Sequence, residues 1–417
     1  MILAEGLALR VYLALSRLLP LVAPMLLRRR LRRGKEDPKR WREKLGEPGM
    51  ARPEGRLIWL HAVGIGEVMA LRGLLAALAE REPLLSFLVT SSARSSAVVF
   101  ARNLPARTRH QYLPVDAPRY LARFLNHWRP DLSVWAEQDL WPGAVVAVAR
   151  RRIPLALVNA RMNDAAFARR ARMHRLYADL FGRFGLIAAQ DTATAAHLTA
   201  LGARGVQIAG SFKSAAPVLG VDESTLGGMQ AHVAGRRVWV AASTHAEDEA
   251  VALSAQAELW ARDRRWLLIL VPRVILRRAE ICAAVPVGLP VTVRSLGEGP
   301  TGAVFLADTV GELGLWYRLA EVALMGGTFG PVEGHNPWEP AALGVPVLHG
   351  PRVANFATDF AALREVGAVR EVTAAGLSAA IASDLSGMGV AGRALSEAGQ
   401  QGLRPMAEAL LALGVGR

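Results

Sequence analysis

The chain has one cysteine, Cys282, among 417 residues. A single thiol builds neither an internal disulfide framework nor a multi-cysteine zinc centre, which suits a reducing compartment. Aromatic residues make up only 6% and do not interleave with basic ones, so no nucleic-acid-binding motif is visible. No apolar run reaches the roughly 20 residues of a spanning helix. Residues 7–27 are interrupted by Arg10, Arg17, Pro20 and Pro24, and the longest uncharged stretch is Leu18 to Leu27. No small-residue cleavage site follows that stretch, and its positive charge comes after it, which argues against a secretory signal. Neither GxGxxG with a later acid nor GxxxxGK[ST] is present, which argues against a dinucleotide fold and against a P-loop NTPase. Acidic residues are the scarcer sign, 36 against 50 basic, for a net charge of +14.

The excess of positive charge is concentrated. Arg28, Arg29, Arg30, Arg32, Arg33, Lys35, Lys39, Arg40, Arg42 and Lys44 face only Glu36, Asp37 and Glu43, and a second cluster runs from Arg161 to Arg175. Basic surfaces suit polyanions, either nucleic acid or anionic lipid. Leucines at helical spacing followed at once by arginines suit a helix lying in the interface of an anionic bilayer. The same residues also allow a helix packed on its own domain, or a single span with its positive flank in the cytoplasm. Either membrane reading places the body of the protein in the cytoplasm.

A 417-residue chain with 52% hydrophobic and 21% charged residues is ordered and too long for one ordinary core. Short apolar runs alternate with helical stretches. RLIWLHAV, SFLVTSS, LSVWAEQ, IPLALVNA, LIAAQD and VQIAGS read as strands of one βαβ series. RVWVAAST, WLLILVPR, AVFLAD, EVALMGGT and VPVLHG make a second. Between them, GSFKSAAPVLGVDESTLGGM breaks the pattern as a hinge. The expected organisation is an N-terminal helix and basic linker over 1–40, one Rossmann-like domain over 41–213, a hinge over 214–230 and a second Rossmann-like domain over 231–417. The two parallel-sheet α/β domains are expected to face each other.

Ligands of open α/β sheets bind beyond the carboxyl ends of the strands, so residues just after each strand are the candidates. The first strand runs into Gly64-Ile65-Gly66-Glu67, a glycine turn opening a helix. A carboxylate at Glu67 is placed to take a proton from a hydroxyl, or to complement the helix dipole. Glu137-Gln138-Asp139 follows another strand and sets two acids one residue apart, while Asn159-Ala160-Arg161 ends a third with a cation for a carboxylate or phosphate. In the second half the candidates are Ser243-Thr244-His245, Pro272-Arg273 and Asp308-Thr309-Val310-Gly311-Glu312. Gly326-Gly327-Thr328-Phe329-Gly330 is a glycine loop leading through Gly334-His335-Asn336 to Glu339 at a helix start, which reads as a phosphate site with an acid for ribose hydroxyls.

Taken together these motifs resemble the Kdo (3-deoxy-D-manno-octulosonic acid) transferases of lipopolysaccharide assembly, a family of GT-B type with two facing Rossmann-like domains. The resemblance spans nearly the whole chain. It runs from Arg40-Trp41-Arg42-Glu43-Lys44-Leu45-Gly46 through His61 to Glu67, Leu140-Trp141-Pro142 and Gly210-Ser211-Phe212-Lys213 to Gly334-His335-Asn336-Pro337-Trp338-Glu339. It implies inverting transfer of Kdo from CMP-Kdo to lipid IVA at the cytoplasmic face of the inner membrane, with no cofactor or metal and no nucleic-acid partner. Under it Glu67 is the general base; Gly66, Glu137, Asp139 and Arg161 line the acceptor side. Ser243, Thr244, Pro272, Arg273, Gly311, Glu312, Asn336 and Glu339 contact the nucleotide, and Lys213 lies near the donor's acidic groups. The family's turn usually carries serines where Ala62 and Gly64 stand, its second acid is longer than Asp139, and a histidine often replaces Val274. A GT-B enzyme using another nucleotide sugar, and a basic nucleic-acid-binding protein, are the alternatives.

Overall fold

The computed structural model describes all residues except 1–4, 93, 95–96, 98–99, 101–103, 138–139, 213, 216–217 and 416–417, and all their side chains except those of 65–67, 69 and 415. The chain forms two compact units, Met1–Ala216 with Gly399–Arg417, and Pro217–Ala398.

The first unit holds a parallel sheet of β1 (Leu57–His61), β2 (Ser86–Ser91), β3 (Thr108–Tyr112), β4 (Leu132–Ala136), β5 (Leu155–Ala160), β6 (Leu186–Ala189) and β7 (Val206–Ile208), in the order β3-β2-β1-β4-β5-β6-β7. The chain winds outward from β1 in one direction and from β4 in the other, so the β1/β4 boundary is the topological switch point where a crevice opens. All five residues of β1 and of β4 are buried, as expected of parallel strands covered on both faces.

The second unit repeats the plan. It contains β8 (Arg237–Thr244), β9 (Trp266–Pro272), β10 (Val291–Val293), β11 (Val304–Leu306), β12 (Val322–Met325), β13 (Val347–His349) and β14 (Val369–Glu371). Their order is β10-β11-β9-β8-β12-β13-β14, all parallel, with the switch point between β8 and β12.

The carboxyl-terminal segment departs from the sequence reading. Gly399–Arg417 belongs to the first unit, not the second. Leu403, Met406, Ala407 and Leu410 are buried in the core beneath β1 and the helix Ile65–Arg81, and Arg81 donates to Glu408 at 2.6 Å. Their apolar stripe fills a gap in that core, which a reading by order along the chain does not anticipate. The expected hinge is also half structured. Glu223–His232 is a helix because Asp222 caps it, accepting from the Thr225 N–H at 2.8 Å, and Met229 enters the second unit's core.

At the amino end, helices Leu7–Ser16 and Leu19–Arg32 meet at a 59° bend, with Pro20 in the first turn of the second. No single helix among the described residues is long and apolar enough to cross a membrane, whereas this bent pair meets that test by length and composition. One face packs on the first unit: Leu9 and Leu13 join its main core, and Ala23 and Leu27 meet Leu45, Ala117 and Tyr120. Polar ties fix this face. The Tyr12 hydroxyl donates to Asp116 at 2.7 Å, and the Gly6 N–H to Asp179 at 2.8 Å. Hydrogen bonds to charged groups contribute about 1.5–3 kcal/mol, and Tyr12 is only half-buried, so Tyr12→Phe should loosen this helix by the low end of that range. Amide exchange across residues 10–16 should then accelerate about tenfold with the rest of the unit unchanged.

Candidate active site

Strained backbone marks the carboxyl edges of both sheets. Non-glycine residues with positive φ include Glu137 (63°) after β4, Asn159 (51°) near the end of β5, Ser243 (58°) near the end of β8 and Glu333 (64°) in the loop after β12. Such conformations persist where the surroundings over-determine them, often at ligand sites. Asn159 shows how: its Oδ1 accepts from the Phe212 N–H at 2.9 Å and its carbonyl from Gln190 Nε2 at 3.0 Å. The strained residue thereby fixes the turn that leads into Lys213, which itself lies outside the described residues.

In the first unit, β1 ends at His61, which is buried against Thr90 (Nδ1 to Oγ1 2.9 Å) and edge-on to Trp135. Burial pushes its imidazole down to about 3, so it is neutral and structural. The helix Ile65–Arg81 starts four residues later, closed by the Val68 N–H to the Gly64 carbonyl at 3.1 Å. Gly66 and Glu67 are therefore in its first turn, at the β1/β4 switch point; the Glu67 side chain lies outside the described ones. Glu137 and Arg161 line one small cavity with Leu140, Met162, Arg170 and Tyr177, so two of the predicted acceptor-side residues share a site. Asp139 lies outside the described residues. The next helix, Pro142–Arg150, presents its N-terminal amides to a residue missed in the sequence: buried Asp116 accepts from Gly143 and Ala144 at 2.8 and 2.7 Å.

In the second unit the same device recurs, and it corrects the expected phosphate loop. Asp248, fully buried in the helix Ala246–Arg262, accepts from the N–H groups of Gly327 (2.7 Å), Thr328 (3.1 Å), Phe329 (3.1 Å) and His245 (2.9 Å). The amides of the glycine loop are thus spent on the protein's own carboxylate. Glycine at 326 is required for a different reason, because a Cβ there would lie 2.4 Å from the Ser243 carbonyl oxygen. Asp three residues after the helix-capping His245 is the pattern that would have revealed this anchor.

The loop so held brings His335 against His245, with rings 5.3 Å apart and nearly parallel and the two Nε2 atoms at 3.0 Å. Burial, then the positive charge of Arg273, then His245 push the His335 imidazole down to about 4, against a small opposing pull from Asp248. Arg273 is exposed and anchored by its backbone N–H to the Thr244 carbonyl, 3.0 Å, at the end of Pro272. Thr244 is buried, its hydroxyl donating to Glu249 at 3.3 Å, and Glu249 holds Arg277 at 2.9 Å. Asn336 donates to Glu339 (3.4 Å) and accepts from the Trp338 N–H (3.2 Å), so these two expected nucleotide-contacting residues are organised at one helix start. Gly311, at φ 95°, turns the chain into Glu312, whose carboxylate is already engaged by Arg294 at 2.8 Å and by the Thr309 hydroxyl. No group of three or more His, Cys, Asp or Glu side chains able to hold a metal ion occurs among the described residues.

Two parallel Rossmann-like sheets, each with a crevice at its switch point, one headed by a glycine turn with an acid and the other by an arginine, two histidines and an acid-bearing helix start, define an α/β glycosyltransferase of GT-B type. A glycosyltransferase from Rickettsia africae shares the fold, with a TM-score of 0.54 at 10% identity over 88% of this chain and 100% of that one. Residues 39–216 match the family described as 3-deoxy-D-manno-octulosonic-acid transferase (kdotransferase). A probable mitochondrial 3-deoxy-D-manno-octulosonic acid transferase of Arabidopsis thaliana is 33% identical over 350 residues, 80% of this chain and 78% of the relative. The 3-deoxy-D-manno-octulosonic acid transferase of Rickettsia bellii is 32% identical over 82% of both chains. The chain belongs to the Kdo transferase family.

Proposed function

We propose that the chain transfers Kdo from CMP-Kdo to lipid IVA, with inversion, at the cytoplasmic face of a bacterial inner membrane during lipopolysaccharide assembly. The observation that carries the donor half is the cluster at the β8/β12 switch point, where the His245–His335 pair forms under the charge of Arg273, with Ser243 in left-handed backbone two residues before His245. Cations and hydrogen-bond donors fixed in advance stabilise the charge that gathers on a departing phosphate. CMP leaves as an anion, so Arg273 and the neighbouring donors hold it; the family resemblance assigns Lys213, outside the described residues, to the donor's acidic groups. Glu67, at the head of its helix, takes the proton from the attacking hydroxyl of the acceptor. Glu137 and Arg161 hold that acceptor.

The N-terminal helices support the location. Opposite their packed face, Leu7, Leu15, Leu21 and Met25 are 71%, 61%, 79% and 64% exposed. Arg10, Arg17, Arg28, Arg29, Arg32 and Arg33 are exposed on the same two helices, the bend between them and the turn that follows. An apolar stripe flanked by arginines suits the interface of an anionic bilayer, at about 1 kcal/mol per basic residue near the surface.

Purified protein incubated with CMP-Kdo and lipid IVA should yield lipid heavier by one or more Kdo residues in mass spectrometry. An unchanged lipid, beside an active family member run in parallel, would overturn this donor–acceptor pair. Vesicles containing anionic lipid should carry the protein to the top of a density gradient, and neutral vesicles should carry much less of it.

A further inference from the structure

Two histidines in ring contact at a ligand crevice raise a question of proton count. With Nε2 facing Nε2 at 3.0 Å, one ring must donate and the other accept. A neutral pair therefore holds two protons, one in the bridge and one on the outward Nδ1 of the accepting ring. Both rings are half-buried, so the pair is reachable from the crevice yet poorly hydrated. His245 belongs to the turn after β8, and His335 to the loop after β12 that Asp248 pins through three amides. The contact therefore closes across the switch point itself, where a ligand of this sheet binds.

The charges around the pair are few and can be named. Arg273 reaches it from the end of β9 and opposes a positive charge on His335; Asp248, beneath the pair, favours one. Glu247, in the first turn of the helix Ala246–Arg262, lies against Gly330 of the glycine loop, and Glu333 is paired with Arg352. Arg273 is the charge that an incoming anion would neutralise. Once a phosphate oxygen sits on that guanidinium, the repulsion that it adds to the effect of burial on His335 is cancelled, and the phosphate adds attraction of its own.

We propose that His245 and His335 form a proton-accepting clamp for the donor's phosphate, in which binding of the phosphodiester draws one proton from solvent onto the pair and leaves an imidazolium hydrogen-bonded to a phosphate oxygen. No covalent bond changes: water supplies the proton on binding and receives it back when CMP departs. The inference rests on the donor reading above and adds two ligand-contacting residues to it.

The linkage has a definite sign. In the free protein His335 is held down near 4. An adjacent opposite charge raises such a group by about 1–3 units. Affinity for the donor is therefore greatest at low pH. It weakens as pH rises between the free and the bound values and levels off above the bound one.

The test is the pH profile of KM and kcat for CMP-Kdo, with lipid IVA saturating, from about pH 5 to 8. With His335 near 4 in the free protein, a 1–3 unit rise on binding puts the bound value at about 5–7, so KM for the wild-type protein should rise about 2- to 80-fold from pH 5 to pH 8. His335→Asn and His245→Asn should each give a high KM that no longer depends on pH, while kcat keeps its own profile. A flat wild-type KM alongside measurable transfer would overturn the clamp and leave the donor reading intact. So would variants that retain the wild-type slope. Absence of transfer at every pH would instead sink the donor reading on which the clamp depends. The wild-type slope requires no variant to fold.

Discussion

Glu67→Gln is expected to lower the rate of Kdo transfer by about 10²- to 10⁴-fold while KM for CMP-Kdo stays within about twofold of wild type. The expectation rests on where the fold puts this residue. β1 lies at the centre of the first sheet, paired with β2 on one side and β4 on the other, so its carboxyl end opens onto the switch point. Glu67 is the third residue of the helix that begins there. A first-turn carboxylate is favoured in its ionised form by the helix dipole, typically by 0.3–1 kcal/mol, which is the state a general base requires. Glutamine keeps the size and hydrogen-bonding capacity of the side chain and removes its basicity. A purely structural dipole partner would show the opposite pattern, with up to about 1 kcal/mol lost from unfolding and turnover almost unchanged. Rapid-quench turnover measured beside a denaturation curve therefore separates the two roles, and near-normal turnover would remove Glu67 from the chemistry.

Most of the strands that can be read in the sequence are buried on both faces. LIWLH and WLLILVP are continuous apolar runs because parallel strands are covered above and below, and they lie where the pattern puts them. The strands missed are edge or next-to-edge ones. Thr108–Tyr112 is a polar TRHQY at the border of its sheet, and Val291–Val293 and Val369–Glu371 have only three residues each. Thr108–Tyr112 is mostly buried but polar, so it shows no apolar run, and the other two are too short to show one. The positions of candidate residues were legible at or directly after strand ends, as with Glu137, Arg161, Thr244 and Arg273. A residue's task was not legible where it is set by a partner far along the chain. Asp116 and Asp248 look like ordinary surface acids, yet each is buried on backbone amides, 27 and 28 residues away for the first and 79 to 81 for the second on the glycine loop. The glycine loop was therefore read as an anion site for a ligand, when the protein had already placed its own anion there. His245 and His335 stand 90 residues apart, and no local pattern could pair them.

The largest loss of stability is expected from Asp248→Ala. Its Oδ1 accepts from Thr328 and Phe329, and its Oδ2 from Gly327 and His245. Alanine leaves all four donors facing a space that the rest of the loop encloses. Removing one partner of a buried charged arrangement costs about 3–5 kcal/mol, and an unsatisfied buried donor costs about 1–3 kcal/mol. A total near 4 kcal/mol is therefore a conservative expectation, or roughly 10 °C in the unfolding midpoint of a unit this size. Asparagine should fall between alanine and wild type. In either amide orientation one acceptor is replaced by an NH₂ group that opposes two of the N–H donors, so isosteric replacement cannot restore the set. Function should follow the loop. Released from Asp248, the segment carrying His335 and Asn336 loses its register against β8, and KM for CMP-Kdo should rise more than tenfold in both variants. Scanning calorimetry of the full chain would place the lower transition in the second unit and leave the first unit's transition unmoved. Wild-type stability in Asp248→Ala would mean that water satisfies the four amides, and the aspartate would then not be what holds the glycine loop in place.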